Sequence, residues 1–212
     1  MKKLNLKTWN REEHFHWFKG FEEPFFGVCQ NVDCTKTYQF CKENGISFFA
    51  FYLFLSNKAI NVLECFRYRI KEDEVLIYDQ VHTSTTIGRS DNTFGLSFVK
   101  HEEVFSLFNN NLQSEKIRVQ QTTGLAITEK FGRIDVIHYT ALPWTQFTSM
   151  SHARKLSGED SCPKIAFGKY YRANQKLYLP VQIHVHHALM DAVHVAEYFK
   201  MFQKYLWNPT LD

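Results

Sequence analysis

Lys176-Leu177-Tyr178-Leu179-Pro180-Val181-Gln182-Ile183-His184-Val185-His186-His187-Ala188-Leu189-Met190-Asp191 is the stretch whose reading decides the fold. Up to Val185 its Leu, Val, Ile and Tyr side chains recur at period two, the pattern of a half-buried strand. Beyond it, Val195, Phe199, Phe202 and Leu206 recur at three- and four-residue spacing, so the strand runs into an amphipathic helix. Two adjacent histidines therefore stand at a strand-to-helix junction, where side chains leave the pleat and project into a cleft. Histidine is also the side chain whose ordinary pKa suits proton transfer near neutral pH.

A chain of 212 residues with 44% hydrophobic content can bury one sizeable core, so residues 1–212 are expected to form a single domain. The formal charge of +3 and the scattered Lys and Arg argue against a nucleic-acid groove or a polybasic membrane patch. Small-molecule chemistry is the remaining class. Twenty Phe and ten Tyr leave room for an aromatic-lined pocket, or for extra core or an oligomer interface. Cys29, Cys34, Cys41, Cys65 and Cys162 are odd in number with no C-x-x-C pair, which fits reduced thiols in the cytoplasm. Met1 to Lys7 lacks an apolar signal segment, and the longest apolar run, Phe48 to Leu55, is too short for a bilayer. A soluble, cytoplasmic protein is expected.

Along the chain, Asn10 and Glu13 make a capping-box pattern for a helix over residues 10–20. Arg11 falls in its first turn, where the helix dipole disfavours a cation, so either a carboxylate elsewhere pairs with it or it is solvated. Phe25 to Val32 reads as a strand, and Asp33 or Thr35 caps a short helix that Gly45 ends. Ser47 caps the next helix, Phe48 to about Asn61, apolar on nearly every face and so central to the core. Phe66–Ile70 and Val75–Tyr78 flank a polar tetrapeptide as a hairpin, and His82–Ile87 and Phe94–Val99 are strands. A helix of about five turns carries Val104 to Ile117. Then come strands at Ile134–Thr140, Gln146–Ser149, Ile165–Tyr171 and Leu177–His187, and a closing helix to Trp207. The expected class is an α/β two-layer sandwich, a mixed β-sheet covered by helices.

His184 and His186 share a strand face, a spacing that zinc sites use, with His194 or Asp191 as the third ligand. Against this rival stands a pattern of a different kind. His186-His187-Ala188-Leu189-Met190-Asp191 resembles the H-H-x-x-x-D-G signature of CoA-dependent acyltransferases, in the version of the chloramphenicol acetyltransferase family. Trp9-Asn10-Arg11-Glu12-Glu13-His14-Phe15 is similar to that family's W-x-R-x-E-H-F, and Ala141-Leu142-Pro143-Trp144 to its S-A-x-P-W. Gly168-Lys169-Tyr170, Tyr78-Asp79-Gln80-Val81 and Cys65-Phe66-Arg67 follow in the expected order, so the resemblance covers essentially the whole chain.

The resemblance implies that family's fold, a homotrimer with active sites at subunit interfaces, and acetyl transfer from acetyl-CoA to a hydroxyl of chloramphenicol or a related small compound. Acetyl-CoA is then a co-substrate; no cofactor is permanently bound, and no metal is required. It makes His187 the general base, with Asp191 pairing with Arg11 to fix the turn, and Thr140 the hydroxyl that bonds the oxyanion where the family has serine. Trp144, Lys169 and Tyr170 match positions on the CoA side, although Tyr170 reads almost as well as core. Phe18 and Phe26 fall where the acceptor is bound. The departures are Ala192 for the closing glycine, Val193 for the aromatic after it, His184 for a glutamine and Ala166 for a threonine. Ala192, Ala166 and Thr140 together support an alternative, a catalytically degenerate small-molecule-binding trimer of the same fold. Glu22 or Glu23, if either faced the pocket, would favour a polar or cationic acceptor.

Overall fold

Pairing on both sides of the signature strand organises the molecule. The computed structural model describes residues 1–154 and 160–211. In chain order the elements are β1 (Lys2–Lys3), α1 (Glu12–Lys19), β2 (Phe25–Asp33), α2 (Thr35–Glu43), α3 (Phe48–Val62), β3 (Tyr68–Lys71), β4 (Glu74–Ile77), β5 (His82–Gly88), β6 (Phe94–Val99), α4 (Phe105–Gln120), β7 (Val136–Ala141), β8 (Lys164–Phe167), β9 (Tyr171–Ala173), β10 (Lys176–His186) and α5 (Ala192–Trp207). Seven strands make one mixed sheet in the order β2-β10-β8-β7-β5-β6, with β9 on β10; β1, β4 and β3 form a small second sheet. Pairs β5–β7 and β7–β8 are parallel and the rest antiparallel. None of the described helices is long and apolar enough to cross a membrane.

The two-residue period sorts each strand into a helix-facing and a helix-free side. On β10, Leu177, Leu179, Val181, Ile183 and Val185 are buried in the core. Tyr139 of β7 accepts a hydrogen bond from Ser56 of α3 at 3.2 Å, and Ser56 also bonds Tyr198 of α5 at 2.8 Å, which pins both helices to that face. The opposite side carries three polar rows set by the register. Val136 and His186 lie towards one end, His138, Lys164, His184 and Gly27 come next, and Thr140, Ala166, Gln182 and Cys29 follow.

Four sequence expectations are corrected. Helix α1 starts at Glu12 with Arg11, not Asn10, at its N-cap and no side-chain cap bond, because a guanidinium has donors only and cannot accept from the helix N–H groups. Gln146–Ser149 is loop: β7 already has β5 and β8 as neighbours, so no edge is open to it. The run 165–171 splits into β8 and β9 at Gly168–Tyr170. Pro180 opposite has no N–H to return to the ladder, and only its carbonyl is used, by Gly168 N at 2.9 Å. The start of the hairpin, 64–67, is a 3-10 turn. By contrast Ser47 does cap α3, accepting from Ala50 N at 3.3 Å, and Gly45 takes a left-handed φ of 64° after α2.

Arg69 on β3 is fully buried and pairs with no carboxylate among the described residues; it donates to the carbonyls of Phe66, Tyr68, Ile134 and Val136. It thus holds the start of β7, the strand that carries His138 and Thr140, against the small sheet. Arg69→Leu leaves those carbonyls without a donor and is predicted to cost on the order of 3–5 kcal/mol. Denaturant unfolding reads this, and a change below about 1 kcal/mol would contradict it.

Burial pushes the imidazoles of His138 and His186 down to about 4, and the nearby Lys164 cation lowers both further while Asp160 opposes it. An unfolded histidine takes its proton near 6.5. Between those values the unfolded chain binds more protons than the native one, so stability falls as pH drops. Burial likewise lowers His152 to about 4 and depresses His82, His184 and His194, so the urea midpoint is expected to decline from about pH 6.5 to 4.5 with the slope of roughly three protons or more, and His186→Asn to remove about one of them. A flat profile across that window would contradict the burial.

Candidate active site

One end of β10 delivers His187. Its backbone N–H donates to Pro24 O at 2.8 Å, and its ring lies against Phe18, stacked at 3.9 Å between centroids and 29°, with Phe26 at 4.9 Å. Nδ1 is 3.1 Å from the carbonyl of Met190. A carbonyl only accepts, so Nδ1 carries the proton and Nε2 is left bare, the state a general base needs.

Arg11 reaches the same turn from α1, but the buried bidentate pair expected with Asp191 is absent. Arg11 Nη2 donates to the carbonyl of His187 at 2.9 Å, while Nη1 is 3.8 Å from Asp191 Oδ2. The Arg11 side chain is 11% exposed and that of Asp191 46%, so water screens the pair. Burial lowers the Arg11 pKa and Asp191 only partly offsets it, as a long contact would. Asp191 instead spends its carboxylate on capping α5. It accepts from Ala192 N at 2.6 Å, which holds its pKa below the usual carboxylate range, with the neighbouring His187 and Arg11 adding. His194 completes the capping box, its Nδ1 accepting from Asp191 N at 2.9 Å. Ala192 begins α5 outside the left-handed region, so the missing glycine brings no strain there.

The zinc candidates point to separate partners. His194 is in the cap, His184 Nδ1 bonds His152 Nδ1 at 3.2 Å, and His186 Nδ1 accepts from Ala188 N at 3.3 Å. No three His, Cys, Asp or Glu side chains among the described residues converge as a metal site.

Thr140, Trp144, Lys169 and Tyr170 gather at the opposite end of the sheet. Leu142 N donates to Phe167 O at 2.8 Å and Lys169 N to Thr145 O at 2.8 Å, which brings the Trp144 turn onto the Gly168 break. Trp144 is 79% exposed, a ring held out to solvent at the end of a strand. Tyr170 Oη donates to Tyr38 Oη at 3.2 Å and meets Phe48 edge-on, so it is tied to the helices while still 38% exposed. The Thr140 hydroxyl bonds none of the described residues. A cavity of about 370 Å³ lies earlier along β7, lined by Val136, His138, Phe98, Phe131 and Cys162, and does not include Thr140.

The register keeps these two groups apart. Thr140 is level with Ala166 and Ala166 with Gln182, five residues before His187 and two strands across. At about 3.3 Å per residue and 4.8 Å per strand, Thr140 and His187 of one chain stand roughly 15–20 Å apart.

Sequence reading missed the segment that folds back over the helix-free face. Arg154 pairs with Glu23 at 2.8 Å and lies over Phe25, and His152 meets His184. Nothing periodic in 142–163 signals this. Glu23 is thereby engaged by Arg154.

A chloramphenicol acetyltransferase family profile matches residues 1–203. The chloramphenicol acetyltransferase of Proteus mirabilis is 28% identical over 203 residues, covering 95% of this chain and 93% of its own. Chloramphenicol acetyltransferase 3 of Escherichia coli is 26% identical, covering 95% of each. A solved chloramphenicol acetyltransferase superposes with a TM-score of 0.88 at 26% identity over 97% of this chain and 100% of that one. A probable dihydrolipoamide acetyltransferase of Listeria monocytogenes shares the fold at a TM-score of 0.69 and 11% identity. On a profile match that runs almost end to end, the chain belongs to the chloramphenicol acetyltransferase family, acyltransferases that use acetyl-CoA as co-substrate.

Proposed function

We propose that the protein is an acetyl-CoA-dependent O-acetyltransferase acting on chloramphenicol or a related small hydroxyl compound, working as a homotrimer with its active sites between subunits. The observation that carries this reading is the pair of half-sites at opposite ends of one sheet. His187 has its Nδ1 proton fixed on Met190 O, leaving Nε2 to act as base, but the Thr140 hydroxyl of its own chain is out of reach. The Thr140 hydroxyl bonds none of the described residues, and His187 of its own chain stands roughly 15–20 Å away. A second copy supplies what each lacks, and a closed ring repeats that contact until every site is complete.

In such a site Nε2 of His187 removes the proton of the acceptor hydroxyl as its oxygen attacks the thioester carbon. The carbonyl oxygen gains negative charge and receives a hydrogen bond from Thr140 of the neighbouring copy. Collapse breaks the C–S bond, and the departing thiolate takes the proton back from the imidazolium, so acetyl ester and free CoA leave a neutral histidine. Arg11 and Asp191 act on the turn: one holds the carbonyl of His187, the other caps the helix that follows. Trp144 and Lys169 supply a ring and a cation for the CoA arm, with Tyr170 bracing that surface, and Phe18 and Phe26 hold the base ring and the acceptor beside it.

Thiol release from acetyl-CoA, with chloramphenicol and a panel of small alcohols and amines, tests this. His187→Ala should lose roughly two to four orders of magnitude in turnover. Thr140→Ser should equal or exceed the parent, because it keeps the donor and drops the methyl, while Thr140→Val and Thr140→Ala should fall together with acetyl-CoA binding scarcely changed. Equal behaviour of Ser and Val would remove the hydroxyl from the mechanism. Failure of every acceptor would favour the degenerate binding protein.

A further inference from the structure

Two imidazoles bracket one peptide group in the turn that delivers the base. The carbonyl of Met190 faces Nδ1 of His187 at 3.1 Å, and the N–H of Asp191, at the other end of the same peptide plane, donates to Nδ1 of His194 at 2.9 Å. A trans peptide points its C=O and N–H to opposite sides, so the two rings hold it from opposite directions. The other N–H groups of the turn are engaged elsewhere: His187 N by Pro24 O, Ala188 N by His186 Nδ1, Leu189 N and Met190 N by His186 O, and Ala192 N by Asp191 Oδ1. Among the described residues, His194 is thus the one side chain besides His187 itself that holds the Met190–Asp191 peptide.

The chemistry of His194 suits that task. It is the third residue of α5, a position that in a capping box is ordinarily Glu or Gln, whose oxygen accepts from the N-cap N–H. An imidazole accepts only while neutral and only through its unprotonated nitrogen, so the proton of His194 sits on Nε2. Burial depresses the His194 pKa, and the Arg11 cation adds to this while Asp191 opposes it, so the ring is uncharged near neutral pH. Donation from an N–H polarises its peptide and makes the carbonyl at the other end a stronger acceptor. His194 therefore orients Met190 O and tightens its hold on the Nδ1 proton of His187, which makes Nε2 of His187 more basic.

We propose that His194 is a positioning residue for the transfer reaction, fixing the tautomer and orientation of His187 through the Met190–Asp191 peptide. This rests on the reading of His187 as the base. Without the His194 acceptor the peptide is free to rotate and Met190 O turns away from the imidazole. The proton of His187 then distributes over both ring nitrogens, and every molecule with it on Nε2 has no base.

Two substitutions separate this role from simple capping. His194→Leu removes the acceptor, whereas His194→Gln keeps one, since a glutamine oxygen serves the same place in a capping box. With acetyl-CoA and the acceptor found for the parent, His194→Leu should lower kcat by about tenfold or more while the KM for acetyl-CoA stays within about twofold, and His194→Gln should restore most of the loss. NMR of protein labelled with nitrogen-15 histidine reads the tautomer directly, the His187 signals being identified by their loss in His187→Ala. They should report a proton on Nδ1 in the parent and in His194→Gln, and a mixture of both tautomers in His194→Leu. A lower melting temperature for His194→Leu with kcat and the His187 signals as in the parent would reduce His194 to a helix cap and overturn the proposal. So would a His194→Gln variant as slow as His194→Leu. If no acceptor is acetylated, the reading of His187 as base fails by itself, and the spectra still decide whether His194 sets the tautomer.

Discussion

Strand β10 is hydrogen-bonded to β2 along Tyr178–His186 and to β8 along Val181–His184. With both neighbours in place it cannot slide, since a one-residue slip would turn Leu179, Val181 and Ile183 out of the core and His184 and Gln182 into it. That fixed register decides where His187 emerges, which side chains share the helix-free face, and how far Thr140 stands from the base. Asp191 then starts α5 immediately beyond the turn, so the helix that packs on the core also holds the geometry of the loop that carries the imidazole.

Much of this was legible in the residues. Period-two alternation located β10, three-and-four spacing located α5, and Ser47 with an apolar run located α3, because each pattern reports burial of one face directly. The His187, Asp191 and Arg11 positions were found through a motif, and the structure gathers them at one turn. The bond geometry was not readable. Nothing in the sequence says that Arg11 grips a backbone carbonyl in preference to Asp191, or that Met190 O fixes the imidazole tautomer, because backbone acceptors leave no mark on composition. The break at Gly168 was readable in principle from Pro180, which lies across the ladder; it required knowing which strand β8 pairs with. The lid formed by His152 and Arg154 left no signal, since a segment folding back across a sheet has no period of its own.

The helix-free face shows where this chain spends its stability. Its helix-facing counterpart is packed with Leu, Val, Ile and aromatic rings, whereas Lys164, His184, His186 and Gln182 are buried on the other side, with His138 half-buried beside them. A sheet face built only to pack would not hold imidazoles at pKa values near 4. The same rows carry Thr140, so the electrostatic cost falls on the surface assigned to the chemistry.

The central claim, that one subunit's His187 works with another subunit's Thr140, is tested most directly by mixing subunits. His187→Ala and Thr140→Val chains, each inactive alone, are co-expressed in equal amounts with different tags, and the mixed oligomers are assayed with the acceptor identified for the parent. In a trimeric ring of mixed composition one interface in three joins an intact histidine to an intact threonine, so activity should return to about a third of the parent's. Mixed oligomers no more active than the separate variants would contradict the account and place the whole reaction within one chain.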